Sequence, residues 1–273
     1  LVPIVEALED ISQPGVTIIP APQGDLVSTA IVGRGILSRL FSGIFSLAQS
    51  KSRAFVIDEN VYLSNIQRLE DLGVSKHEVY IVPSGETSKS LQKLEELLKF
   101  LAKMGCSRES TLFAIGGGVV GDLAGLAASL YFRGINLVQI PTTIVSMVDS
   151  AIGGKTAVNL PNAKNSVGTF YPAKFVVADL EFVDSLPERE FISGMAEVIK
   201  YGLISDKEFF VFLQSHRDRI LSRDANALLQ VIEKCIYLKF SHTCADLHDK
   251  AGRRSLLNFG HTFGHAIESL TAY

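Results

Sequence analysis

The sequence predicts an α/β domain built on a parallel sheet, followed by an α-helical domain. Two observations carry this. Up to about residue 180, short β-branched runs bounded by Gly, Pro or charge alternate with longer amphipathic ones, the signature of strands joined by crossover helices. Across residues 188–272 no strand pattern recurs and helical periodicity takes over.

Taken in order, the strands are expected at AIVG, RAFVID, EVYIVP, STLFAIGGG and NLVQIP, whose near-continuous apolar character suits strands buried on both faces. Between the third and fourth, residues 88–104 place Leu91, Leu94, Leu97 and Leu98 at helical spacing. Beyond KFVVADLEFVDSLPERE, helices are expected over 209–221 and 227–240. The organisation read from this texture is an N-terminal extension over 1–29, the α/β domain over 30–180 and the helical domain over 181–273.

The net charge of −3 gives no basis for a nucleic-acid or membrane-surface partner, although local basic clusters can still serve a small acidic substrate. No apolar run reaches the roughly 20 residues of a membrane span. Cys106, Cys235 and Cys244 form no C-x-x-C pair and are odd in number, so reduced thiols of a cytoplasmic protein are expected. The first residue is Leu1 rather than Met, and residues 1–29 show no charged-then-apolar leader pattern.

A G-x-G-x-x-G sequence, Gly116, Gly118 and Gly121, follows an expected strand and opens an expected helix. There glycines let backbone N–H groups approach a pyrophosphate at the positive helix end, which makes the α/β part a nucleotide-binding candidate. A tight turn that binds nothing is the ordinary alternative. The dinucleotide fingerprint also wants an acid about 20 residues further on, where the chain instead reads NLVQIPTT. The acid ending a nearby apolar strand is Asp58, earlier in the chain, so the strand arrangement must differ from the usual one. Gly154-Lys155-Thr156 resembles the end of a Walker loop, but the glycine required five positions earlier is Asp149. Lys155 remains a flexible ammonium on a glycine turn, suited to a phosphate.

In the helical part, Glu197 and Lys200 share a helix face. A surface ion pair is the ordinary reading, but Met195, Val198, Ile199 and Leu203 surround the pair, so the helix is expected to be mostly buried. Buried charges there need a partner or a metal. His261 and His265, four apart, can likewise share a face, though H-x-x-x-H without the inner Glu is not the metalloprotease motif. Glu197 with one of these two histidines is the nominated metal set. His77, His216, His242 and His248 sit in polar, charge-rich contexts and are weak candidates.

GGGVVGDLAG, YFRGINLVQIPTTIVSMVDSAIGGKTAVN, KNSVGTFYPAKFVVADLEFVDSLPERE, GMAEVIKYGLI and LLNFGHTFGHAIE follow one another in that order. Together they resemble the 3-dehydroquinate synthase family of sugar phosphate cyclases, from about residue 30 to the last residue. The resemblance implies that fold, a homodimer, NAD as a recycled cofactor and a divalent metal, zinc or cobalt. It implies a lyase of the shikimate pathway of aromatic amino acid biosynthesis, acting on 3-deoxy-arabino-heptulosonate 7-phosphate. NAD contacts then fall on Asp58, Asn60, Glu86 and Lys89, on Gly117, Gly118 and Asp122, on Thr142 and Thr143, and on Phe182, Ser185 and Glu190.

The metal falls on Glu197, His261 and a further histidine beyond residue 273, the chain being expected to be C-terminally truncated. Lys155, Lys164, Asn165 and His265 are implied at the substrate phosphate, with Arg133 reaching in from a dimer partner. Lys239 and Arg254 are implied at the carboxylate, and Asp149, Lys200 and Asn258 at the hydroxyls. Lys155, Asn165, Asp149, Lys200 and His265 carry the expected catalytic roles, His265 as proton carrier. One departure is DLHDKAGRRSLLN, with Lys250 where the family has a glutamate. Cyclases that make an inosose or valiolone, and metal-dependent alcohol dehydrogenases of the glycerol dehydrogenase type, are the alternatives.

Overall fold

A computed structural model of the chain describes residues 15–22, 27–47, 52–244, 246, 252 and 254–270. A seven-stranded sheet runs in the order β1-β2-β9-β6-β5-β3-β4, with β1 Val16–Pro20, β2 Thr29–Gly33, β3 Ser52–Asp58, β4 Val79–Val82, β5 Ser110–Gly116, β6 Asn136–Pro141 and β9 Phe175–Asp179. All neighbours are parallel except β1 and β2. Strand β1 falls within the stretch expected as an extension, so the sheet begins before residue 30. Its five residues, ending in Pro20 and followed by Pro22 and a polar stretch, present too short a run to stand out.

All seven residues of β5 are buried, as a central parallel strand requires. Helix α1, Ile36–Leu47, lays Phe41 over Phe55 and Phe113, with ring centroids 5.9 and 5.4 Å away. Its start is held by Asp179, whose carboxylate accepts the Gly35 and Leu37 amides at 2.8 and 2.9 Å and the Arg68 guanidinium at 2.5 Å. After β3 come two short helices, α2 Glu59–Ser64 and α3 Ile66–Asp71. Helix α4, Leu91–Lys103, starts at Ser90 and buries Leu94, Leu97 and Leu101; Leu91, expected on the buried face, is 47% exposed. Helix α5, Gly118–Leu130, follows the glycine loop.

The segment after β6 winds as a π-helix over Ser146–Ser150, a form that recurs near functional sites. A hairpin absent from the expectations follows: β7 Lys155–Leu160 and β8 Ala163–Phe170. Its polar, Asn- and Gly-containing strands lack the apolar alternation that marks a half-buried strand. The hairpin is seated on α5 at Gly125, where an added Cβ would overlap Thr156 Cγ2 and lie 3.1 Å from its Cβ. Thr156 is held in turn by Oγ1 bonds to Thr169 O and Oγ1 at 3.1 and 3.0 Å. Gly125→Ala should therefore cost about 1–3 kcal/mol through overpacking. A thermal melt should show a Tm lowered by roughly 2–4 °C per kcal/mol, and an unchanged Tm would contradict the contact.

The rest is helical: α6 Glu181–Asp184, α7 Glu188–Ile204, α8 Lys207–Ser215, α9 Arg217–Leu221, α10 Ala225–Thr243 and α11 His261–Leu270. The single helix expected over 209–221 is broken at His216, whose φ of −108° and ψ of 15° leave the helical basin. Helix α7 buries Met195 and Val198, but Ile199 and Leu203 are 43% and 54% exposed, so it is only half covered in this chain. No described helix is long and apolar enough to cross a membrane.

Candidate active site

The carboxyl ends of the parallel strands form one rim, and at β3 and β5 the chain leaves in opposite directions, to β4 on one side and to β6 on the other. Ligands of open α/β sheets bind at such a switch point. Register pairs Ile57 with Ile115, so Asp58 and Gly116 end side by side, and a Cβ on Gly116 would lie 3.2 Å from that of Asp58. This explains why the acid precedes the glycine loop in the chain. Asp58 accepts both bonds of Ser84 Oγ at 2.9 Å and the amides of Asn60 and Val61 at 2.9 and 3.3 Å.

Gly117 is the N-cap of α5 and brings no side-chain cap, which leaves the first amides of a 13-residue helix for an anion. Cβ atoms on Gly117 and Gly118 would stand 3.3 Å from Thr143 Cγ2 and 3.2 Å from Ser150 Oγ, so side chains there would crowd the loop. Thr142 is buried, its amide bound to Gly116 O at 3.0 Å. Phe182 is buried beneath the Arg68 guanidinium, 4.8 Å from its ring centroid. Ser185 Oγ donates to Phe182 O at 3.3 Å, and Glu190 lies exposed in the first turn of α7.

Beside this rim a cleft of about 560 Å³ is lined by Asp122, Asp149, Lys155, Asn165, Lys239, Arg254, Asn258 and His261, with Ser150, Thr156, Ser166 and Thr169 among the rest. Asp149, from the π-turn, accepts Lys239 Nζ at 2.7 Å and Tyr201 Oη at 2.9 Å, with Lys200 Nζ at 3.9 Å. Burial would raise the Asp149 pKa, but the Lys239 and Lys200 charges and the two hydrogen bonds hold it at about 2. Burial pulls the Lys239 ammonium down, opposed by Asp149. Lys200 also bonds Glu197 Oε2, and Glu197 Oε1 lies 3.4 Å from His261 Nε2. Two donors on one zinc, about 2.1 Å from it at a tetrahedral angle, stand roughly 3.4 Å apart, so this pair fits a shared divalent ion. Among the described residues no group of three His, Cys, Asp or Glu side chains converges.

Lys89, buried, bonds both Asp122 Oδ2 and Asn165 Oδ1. Burial raises the Asp122 pKa to about 6 although Lys89 opposes it. Asp122, expected at the cofactor, thus reaches from the glycine helix into the lining of the cleft. Arg254 Nη1 donates to Gly153 O at 3.4 Å.

Not every expected residue is gathered here. Arg133 sits where α5 has carried the chain to the opposite rim, before β6 begins, in a turn where Phe132 and Arg133 have φ of 50° and 64°. Lys164 is exposed on the hairpin and is not part of the cleft lining. His265 lies in α11, with its side chain outside the described residues, as are His248 and Lys250. His77 is exposed, His216 stacks on Phe212 at 4.2 Å and His242 bonds Ser205 at 2.6 Å; none lines the cleft. Tyr201, fully buried against Asp149, was not among the expected residues; its place beside Lys200 on the covered face of α7 was the available signal.

Residues 79–193 match the family model described as 3-dehydroquinate synthase N-terminal, and residues 194–273 the one described as 3-dehydroquinate synthase C-terminal. A curated 3-dehydroquinate synthase of Acidithiobacillus ferrooxidans (strain ATCC 53993 / BNL-5-31) is 47% identical over 253 residues, covering 88% of this chain and 66% of that protein. The chain thus spans about two thirds of the length of such relatives. Among solved structures, 2-epi-5-epi-valiolone synthase from Streptomyces hygroscopicus subsp. jinggangensis 5008, with NAD+ and Zn2+ bound, superposes with a TM-score of 0.79. It is 28% identical and covers 92% of this chain and 70% of that one. A 2-deoxy-scyllo-inosose synthase complexed with carbaglucose-6-phosphate, NAD+ and Co2+ also gives 0.79, at 31% identity, covering 93% and 68%.

Proposed function

The chain belongs to the 3-dehydroquinate synthase family, and from that membership we propose that its protein converts 3-deoxy-arabino-heptulosonate 7-phosphate into 3-dehydroquinate and inorganic phosphate. The observation that carries the proposal is the convergence of Lys155, Asn165, Lys239, Arg254 and His261 on one cleft beside the glycine helix, with Glu197 paired to His261. The enzyme is a phosphate-eliminating lyase of aromatic amino acid biosynthesis, cytoplasmic and homodimeric. Functionally it divides near residue 180 into a nucleotide half and a metal and substrate half.

When bound, NAD supplies a hydride acceptor and donor, and a divalent metal, zinc or cobalt, supplies Lewis acidity. The uncapped start of α5, with Asp58, Asn60, Glu86, Lys89, Asp122, Thr142, Thr143, Phe182, Ser185 and Glu190, would hold NAD. Glu197 and His261 would hold the metal. Lys155 and Asn165 bind the substrate phosphate and favour its departure as a dianion, with Lys164 nearby on the hairpin and Arg133 reaching in from the dimer partner. Lys239 and Arg254 take the carboxylate; two cations there favour a substrate that carries a carboxylate besides its phosphate. Asp149, ionised at neutral pH, accepts a substrate hydroxyl proton in a hydrogen bond at its Oδ atoms, with Lys200 and Asn258 as neighbouring donors. His265 carries the proton exchanged near the phosphate. Much of the rate then comes from fixing one flexible substrate in a single pose.

The test is to incubate the full-length protein with the heptulosonate phosphate, NAD and zinc and to follow inorganic phosphate. Release without net NADH is expected. No phosphate, with turnover of glycerol and NADH accumulation, overturns the proposal.

A further inference from the structure

The hairpin that carries Lys155 and Asn165 contains an irregularity. Val158 pairs with Val167 and Leu160 with Ala163, so Asn159 alone faces Lys164, Asn165 and Ser166. Such a bulge bends its strand and re-aims side chains, and bulges recur beside active sites. Asn165 takes the left-handed conformation within it, at φ 55°, which Asn tolerates better than most residues but which still needs support. The support is Asn159. Its Oδ1 accepts the Asn165 amide at 2.8 Å, the N–H that the broken ladder no longer pairs. Its Nδ2 donates to Glu86 Oε1 at 2.8 Å, and its own amide donates to Lys89 O at 2.8 Å.

One half-buried side chain therefore joins the loop carrying Glu86 and Lys89 to the bulge carrying Asn165, while Lys89 closes the circuit by bonding Asn165 Oδ1. With its amide taken by Asn159 and its oxygen by Lys89, Asn165 keeps its Nδ2 as the donor for the cleft. We propose that Asn159 is a positioning residue, holding Glu86 in place for the cofactor and the Asn165 bulge in place for the substrate phosphate while touching neither ligand. The assignment of the two ligands rests on the function proposed above.

Hydrogen-bond polarity makes the role testable on the full-length protein. Asn159→Ala removes both side-chain bonds. Asn159→Asp keeps an acceptor for the Asn165 amide but sets a carboxylate against Glu86. Glu86→Gln combined with Asn159→Asp restores both bonds with one reversed, since the glutamine amide donates to the new carboxylate, and it also restores the net charge. Titration calorimetry with NAD and with inorganic phosphate is the readout, with thermal melts to confirm folding.

N159A and N159D should each weaken both ligands about fivefold or more. N159D/E86Q should bind phosphate within about twofold of E86Q alone, a recovery that a merely structural loss would not produce. Phosphate affinity unchanged in N159A, or no better in N159D/E86Q than in N159D, overturns the inference. A wild-type protein that binds neither NAD nor phosphate instead overturns the functional reading, and the inference with it.

Discussion

Replacing Lys155 with alanine is expected to lower kcat/KM for the heptulosonate phosphate by about 10²- to 10³-fold, the usual loss when one pre-aimed donor to a developing anion is removed. NAD affinity should stay within about twofold. The separation follows from placement: Lys155 stands on the hairpin that lines the cleft, whereas the nucleotide face is the start of α5 and the rim around Asp58. Its backbone is fixed by Gly153 and Gly154, at φ 99° and 72°, and by the bond from Tyr171 N to Gly154 O at 2.6 Å. A shorter side chain therefore cannot be compensated by a shift of the strand. Phosphate release and NAD titration on the same preparation check the expectation, and unchanged turnover would remove Lys155 from the phosphate cradle.

The second large effect concerns stability. Lys239→Met should lower stability by about 3 kcal/mol at neutral pH, because it strands a carboxylate where burial already opposes ionisation. The pH dependence has a definite sign. In the wild type the Asp149 pKa lies below its unfolded value, so its contribution is present above about pH 4 and is lost as pH falls toward 2. Without Lys239 only the Lys200 charge and the Tyr201 hydrogen bond oppose burial, so the Asp149 pKa should rise. A raised pKa favours the folded state only at low pH, so the Tm deficit of the variant should shrink as pH falls from 7 to 4. Asp149→Asn combined with Lys239→Met leaves no charge stranded and should recover most of the neutral-pH Tm. Melts of both variants across that range decide the matter; a deficit constant with pH would show that packing, not charge, holds Lys239.

Much of the sheet was legible in the sequence because buried parallel strands are continuous β-branched runs, and five were read from that alone. Strand β9, FVVAD, carries the same signal but was not among the five; the other strands that escaped lacked it for physical reasons. Strand β1 is short, ends in Pro20 and is soon followed by Pro22, and β8, AKNSVGTF, faces the cleft with polar side chains that break any apolar period. The covered face of α7 was half misread, since Ile199 and Leu203 look like core residues in sequence yet are exposed. In the site, the glycine loop, Asp58, the Glu197–Lys200 pair and the His261/His265 pair could be nominated from spacing, while resemblance selected His261 of the two. Asp149, Lys239 and Arg254 could not: Lys239 lies 90 residues from Asp149, and Arg254 lies 101 from Gly153, separations that no local pattern encodes. Only resemblance pointed to them.

Those separations also govern the order in which the molecule acquires its parts. The glycine loop and α5 are contiguous in sequence, and α5 packs on the strand it has just left. The Asp149–Lys239 and Glu197–His261 contacts close loops of 90 and 64 residues. The entropic cost of the first is recovered only when α10 docks across the π-turn, and that of the second only when α11 meets α7. The glycine loop and the helix it opens are thus assembled from neighbours, whereas the chemistry of the cleft waits for helices from the far end of the sequence.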